Sequence, residues 1–309
     1  MKKLILILGF GLLASAVFSQ YKWDFGAMVG AANYLGEIGG KNKTRQDFIL
    51  DMKLSQTKGS YGGFARYKLN PDFSIRGSLS WDRISGADNL STNPARVGRN
   101  LSFRDDIYEA SVIGQYIFYD VADLGRTYRY SNDFKAYVFT GVSGFHMNPK
   151  AQYDGTWYAL QPLHTEGETL PGGPKEYSLY QIAIPAGAGF YFTFSKKYKI
   201  GWEFNWRTTF TDYLDDVSKN YPTQAQLNIM SPLAQALSNR TLTNDPNIPD
   251  PRNYGPGSKR GDPKHKDSYL STTINASYAI QGRSKFAHSK YKTFFKGKKF
   301  TKRTIRAKF

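Results

Sequence analysis

The 309-residue sequence contains no cysteine. Disulfide frameworks, thiolate metal sites and a lipobox anchor are thereby excluded, so stability must come from packing and hydrogen bonding. Beyond the first twenty residues, no apolar run approaches the roughly 20 residues that a membrane-spanning helix requires. Histidine is scarce, with four in the chain, and the stretch from Arg283 to Phe309 lacks Asp and Glu altogether. Mean hydropathy is low at −0.52, which by itself would suit a soluble protein. A membrane β-barrel escapes that test, because only alternate residues of its strands meet lipid and the loops are polar. What the chain does have is aromatic residues (Tyr 22, Phe 21, Trp 5) and 29 glycines, an excess expected of strands that meet lipid and its interfaces.

The N-terminus reads as a secretory signal: Lys2 and Lys3, an apolar run from Leu4 to Phe18, then Ser19 before Gln20. Fifteen apolar residues are short for a span, so cleavage is expected after Ser19. This divides the chain into a signal peptide (1–19), a barrel (20–282) and a basic tail (283–309). Removing Lys2 and Lys3 lowers the formal +17 to +15, of which the tail's eleven Lys and Arg supply +11.

Strict alternation marks the strands. Phe73, Ile75, Gly77, Leu79 and Trp81 interleave with Ser74, Arg76, Ser78, Ser80 and Asp82, a period of two that a helix cannot use. The same period runs through Tyr180 to Phe194 and through Ile200 to Arg207, and weaker versions cover Trp23 to Tyr34, Ser60 to Leu69, Tyr108 to Tyr119, Phe134 to His146 and Leu270 to Ile280. The expected fold is an all-β, antiparallel up-and-down transmembrane barrel of eight strands, whose even count returns both termini to one side. Ile75, Leu79, Trp81, Ile182, Ile184, Trp202 and Phe204 are expected to face lipid.

Connection lengths alternate as outer-membrane barrels require, with long extracellular loops and short periplasmic turns. Asn70-Pro71-Asp72 and Ser195-Lys196-Lys197 are tight, whereas Gly36 to Gly59, Ile84 to Asp106, Met147 to Ser178 and Thr211 to Asp267 are long; Asp120 to Asp133 is intermediate. Seven of the fourteen prolines fall in the last loop, where Ser231 as N-cap and Pro232 after it predict a short helix to Asn239, packed on its own barrel. Two aromatic bands are expected, one near the inner turns with Trp23, Phe73, Phe194 and Tyr198, the other near the outer loops with Tyr34, Trp81, Phe145, Tyr180 and Phe210.

Chemistry is sparse. The inward Arg66, Arg76, Asp82, Glu109, Glu203 and Arg207 suit a packed ionic network better than a pore, because charges in so narrow a lumen must be paired. His146, His164, His265 and His288 stand without a nucleophile constellation, so no enzyme activity, cofactor or small-molecule substrate is expected. Asp212, Asp215 and Asp216 crowd the outer end of the seventh strand without a calcium-loop spacing, and read as solvated carboxylates or partners of Lys219 and Arg207 rather than a metal site. In the tail, Lys296, Lys298, Lys299, Lys302 and Arg303 lie among Phe294, Phe295 and Phe300. Such a segment suits an acidic protein face or anionic lipid; an exported location argues against nucleic acid.

Several blocks together resemble the PorG family of outer-membrane barrels associated with the type IX secretion system of Bacteroidetes: Tyr34-Leu35-Gly36-Glu37-Ile38, Phe64 to Pro71, Ser74-Ile75-Arg76-Gly77, Ile84-Ser85-Gly86-Ala87-Asp88, Arg99 to Phe103, Ile107-Tyr108-Glu109 and Thr211 to Val217. The resemblance implies a non-enzymatic assembly or anchoring component, connecting the membrane to a periplasmic ring made of a lipoprotein and its partner subunit. It also implies residence in the outer membrane, and the even strand count is expected to return the tail to the periplasm, the side where the chain begins. A free-standing small barrel of the OmpA or OmpX kind, or a lipid-modifying barrel enzyme, would share the strand pattern.

Overall fold

The computed structural model describes residues 23–38, 54–122, 124, 132–242, 251–280 and 291–293. The expected signal peptide (1–19) and the tail residues Phe294, Phe295, Lys296, Lys298, Lys299, Phe300, Lys302 and Arg303 lie outside these, as does His288.

Eight antiparallel strands close into one ring: β1 (Trp23–Leu35), β2 (Lys58–Lys68), β3 (Phe73–Ala87), β4 (Ser102–Val121), β5 (Asp133–His146), β8 (Tyr180–Phe194), β9 (Tyr198–Thr209) and β10 (Ser268–Ala279). Each pairs with its neighbours in sequence, and β1 pairs with β10 from Asp24↔Ala279 to Leu35↔Ser268, which seals the wall. Closure leaves no barrel strand with an open edge along the wall, the condition a sheet must meet in hydrocarbon.

The short turns follow from local chemistry. Asn70 Oδ1 accepts hydrogen bonds from the backbone N–H of Asp72 (2.9 Å) and Phe73 (2.8 Å), which fixes the β2–β3 turn. Ser195 and Lys196 both take left-handed φ values (49° and 60°), as a two-residue turn matched to the strand twist requires.

At the other end, β3 and β4 run past the expected Asp82 and Tyr108, to Ala87 and back to Ser102. Their extensions place Ile84, Phe103 and Ile107 in a buried cluster with Tyr34, Leu214 and Tyr269. The walls therefore continue above the membrane belt and carry a cap. Its irregular parts include α1 (Pro94–Arg99), a hairpin of β6 (Lys150–Tyr153) and β7 (Thr156–Ala159), α2 (Gln224–Leu227) and α3 (Pro232–Ser238). The helix expected over Ser231 to Asn239 forms as α3: the Ser231 hydroxyl accepts from Ala234 N–H at 3.2 Å, with Pro232 at the first position. Leu237 is buried with Ala151 and Leu160 of the β6–β7 region, so the helix packs on its own cap.

A three-residue strand, β11 (Tyr291–Thr293), pairs with Tyr119–Val121 of β4. It lies at the short-turn end of the barrel, where β4 outruns β3.

Candidate functional site

The lumen and its cap hold the charged groups of the barrel. Arg76 donates to both carboxylate oxygens of Glu203, at 2.5 and 2.7 Å, and the Tyr137 hydroxyl donates to Glu203 Oε2 at 2.8 Å. One layer higher, Arg207 Nε donates to Glu109 Oε2 at 2.9 Å, the Tyr269 hydroxyl donates to the same oxygen at 2.5 Å, and Asp82 stands 3.6 Å from Arg207. Toward the short-turn end, Arg66 faces Asp24 at 3.6 Å, and Lys199 donates to the same carboxylate. Arg76, Glu203, Arg207 and Asp82 are at most 3 % exposed. The six charged residues read as an inward network thus fall into two direct clusters plus Arg66, whose partner Asp24 the sequence pattern did not single out. Side chains fill the bore where a channel would need water.

The cap holds a second network. Arg99 grips Asp88 with two hydrogen bonds (2.7 and 3.0 Å) and donates to the backbone carbonyls of Arg260 (2.9 Å) and Glu37 (3.0 Å). Arg260 reaches Glu166 at 3.2 Å and Asp216 at 3.6 Å; Tyr177 donates to Asp216 at 2.6 Å, and Thr165 also donates to it. Asp212, Asp215 and Asp216 are therefore not solvated carboxylates: they are 2 %, 1 % and 0 % exposed. Nor do Lys219 and Arg207 pair with them. Arg207 is engaged by Glu109 and Asp82, and it is the Lys219 backbone N–H that meets a carboxylate, that of Glu166 at 3.0 Å. The reason is distance along the chain: Glu166, Tyr177 and Arg260, all remote in sequence, close over the aspartates. Among the described residues, no three His, Asp or Glu side chains converge as metal ligands.

Proton count singles out one place in this cap. The Tyr34 hydroxyl lies 2.7 Å from Asp215 Oδ2 and 2.9 Å from Asp267 Oδ1, while its oxygen accepts the Glu37 N–H at 3.0 Å. One hydroxyl proton cannot serve two carboxylates, so one of the pair carries a proton of its own. Electrostatics agrees in sign. Burial first, then the neighbouring Asp215 and Asp212, hold Asp267 well above the usual carboxylate range. Burial and Asp215 push Glu37 up to about 8, and burial is the main cause that raises Asp212 to about 7.

On the outer wall, Ile75, Leu79, Ile182, Ile184 and Trp202 are exposed at 40 % or more, and Trp81 and Phe204 are half-exposed on the same face. Val29, Val112, Val142 and Ile274 continue this apolar surface around the ring. Trp81 stacks on Tyr61 with ring centroids 5.6 Å apart, and Trp202 Nε1 donates to Thr272 at 2.8 Å. Two members of the expected outer aromatic band do not belong to it: Tyr34 and Phe145 point inward, 5 % and 3 % exposed, into the cap's hydrophobic cluster. The remaining described histidines are scattered. His146 packs against Tyr180, His265 pairs with Asp262 at 2.8 Å in an exposed loop, and His164 sits in the loop after β7.

Glu37, Asp88, Arg99, Glu166, Arg260 and Asp267 were not singled out by spacing. A signal for three of them was present, since Glu37, Asp88 and Arg99 lie inside the blocks Tyr34 to Ile38, Ile84 to Asp88 and Arg99 to Phe103. Those blocks, with Thr211 to Val217, meet in the cap.

The solved structures to which the chain is similar include the following. With the N-terminal β-barrel domain of Pseudomonas aeruginosa OprF it shares 10 % identity over 84 % of this chain and 98 % of that one, at a TM-score of 0.33. With Ail, the attachment invasion locus protein of Yersinia pestis, in complex with the heparin analogue sucrose octasulfate, the figures are 11 %, 84 %, 98 % and 0.33. With the outer membrane protein OprG from Pseudomonas aeruginosa they are 10 %, 84 %, 97 % and 0.36. No curated protein matches the chain. Residues 2–231 match a domain of unknown function, and the chain belongs to that family, DUF6089.

Proposed function

We propose that this protein is a non-enzymatic outer-membrane component of a type IX-like secretion machine, anchoring or assembling a periplasmic ring formed by a lipoprotein and its partner subunit. The observation that carries the reading is the sealed interior: an apolar outer wall around a bore filled by Arg76–Glu203 and Arg207–Glu109 and roofed by a packed cap. A barrel built this way offers the membrane a rigid anchor and offers solutes no path. The resemblance of the cap-forming blocks to the PorG family supplies the secretion context. In this orientation the long loops face outward, and the short turns, the N-terminus and the tail face the periplasm, where Lys296, Lys298, Lys299, Lys302 and Arg303 meet an acidic face of the ring.

Deleting the gene should block export of the machine's cargo, and a variant with His146, His164, His265 and His288 all replaced by Ala should restore it fully, as an anchor needs no general base. Failure of that variant, with normal insertion and assembly, would favour a catalytic barrel. Normal export in the deletion strain would favour a free-standing barrel.

A further inference from the structure

We propose that the outer wall at the long-loop end carries a binding site for the phosphate-bearing headgroups of anionic lipid, built by Arg104 and Lys150 with Trp157, beside the Arg83–Asp106 pair. The inference rests on the barrel spanning a membrane, and adds which lipid it holds and where.

Strand geometry sets the level of the site. From Phe73 to Trp81, the outward residues of β3 cover about 27 Å of strand, or roughly 20 Å of height at a tilt near 40°. That is close to the apolar band of a barrel wall, which is about 25 Å tall. Trp81, stacked on Tyr61, and the exposed Tyr108 opposite it therefore mark the upper interface. Two residues higher on the same face is Arg83, which lies over the Trp81 ring at 5.1 Å; Arg104 is the next outward residue of β4 above Asp106.

The β6–β7 hairpin completes the site. Its inner face is pinned to the cap by Ala151 and Leu160 packed with Leu237. Its outer face is thereby fixed outward, with Lys150 directly across from Arg104 and Trp157 across from Gln152. The Arg104 guanidinium lies 4.0 Å from the Trp157 ring centroid, and its Nε is buried without a hydrogen-bond acceptor. Trp157 is 39 % exposed, an amphipathic ring of the kind that settles among headgroups.

The nearby acids engage Arg83 directly and Arg104 not at all. Asp106 is taken by Arg83 through two hydrogen bonds (2.6 and 3.1 Å), Asp105 faces the interior and accepts the Asn148 N–H at 2.7 Å, and Asp154 sits at the hairpin's turn. With Arg83 spent on Asp106, Arg104 and Lys150 remain at headgroup depth without a direct carboxylate partner among the described residues. A guanidinium stacked on an indole, with an ammonium alongside, is suited to phosphate oxygens.

The test uses the full chain in nanodiscs of mixed phosphatidylglycerol and phosphatidylcholine, with the lipids retained after mild detergent release counted by native mass spectrometry. The wild type should keep phosphatidylglycerol selectively, and high salt should erase the preference. With each cation near a charged surface contributing about fivefold, the double variant Arg104→Gln/Lys150→Gln should lose selectivity by about thirtyfold, and Trp157→Ala should weaken it alone. Lys175→Gln/Lys259→Gln, which removes two loop cations elsewhere, should leave it unchanged. Equal retention of both lipids by the wild type, or undiminished selectivity in the double variant, overturns the inference. A chain that does not insert at all overturns instead the membrane reading beneath it.

Discussion

Arg76 and Glu203 are each at most 2 % exposed at the side chain, so neither charge can fall back on water if its partner is removed. Arg76→Ala should destabilise the barrel by about 3–5 kcal/mol, whereas Arg76→Met combined with Glu203→Leu should recover most of the loss, because no uncompensated charge remains. Urea-driven unfolding from lipid vesicles reads both, and equal stability of single and double variants would contradict the pairing. On the opposite face of the same wall, Leu79→Arg and Ile184→Arg should each cost roughly 2–4 kcal/mol in the same assay, since they place a cation in hydrocarbon. Folding indistinguishable from wild type would mean that this face does not meet lipid. Alternation made the orientation of these residues legible in the sequence. It failed at Phe145 because β5 carries apolar residues on both faces: Tyr137 and Phe139 inward, Val138 and Val142 outward. Nearness to the outer end then suggested a belt residue where parity places a core one.

The eight wall strands were readable because a half-buried strand imposes a period of two on its sequence, and the observed strands keep it. The elements above the wall impose no such period. The β6–β7 hairpin spans two four-residue strands around Asp154-Gly155, whose left-handed φ values (48° and 78°) make the turn. The Asp-Gly pair is a hairpin signal, yet its flanks are too short for alternation to register. The acidic cap was illegible for another reason: Glu37 comes from the loop after β1, while Asp215 and Asp267 come from opposite ends of the long loop between β9 and β10. Its titration gives an element-scale expectation. Glu37 and Asp212 hold their protons to about pH 8 and 7 when folded, against about 4 in an open loop. The protonated forms favour the closed cap, so its stability is complete below about pH 4 and is lost as pH climbs through 7 to 8. Hydrogen exchange over residues 211–219, corrected for intrinsic rates, should show weaker protection at pH 9 than at pH 5, and Asp212→Asn should flatten the difference. Equal protection at both values would remove the buried protons from the account.

At the scale of the whole molecule, the ring closes by the β1–β10 pairing, its bore is filled, and its cap joins loops that follow β1, β3, β5 and β9. Such a body has two unlike ends, the short turns at one and the capped long loops at the other. β11 (Tyr291–Thr293), within the segment 283–309, pairs with β4 at the short-turn end. On the proposed function, this barrel anchors a periplasmic ring. Crosslinking in intact cells, followed by extraction and identification of the captured proteins, tests it most directly. For the full-length chain, the expected result is stoichiometric capture of a periplasmic lipoprotein and its partner subunit, weakened by salt, and loss of both on truncation after Gly282 while the barrel stays inserted. Recovery of the inserted full-length barrel with lipid alone would contradict it.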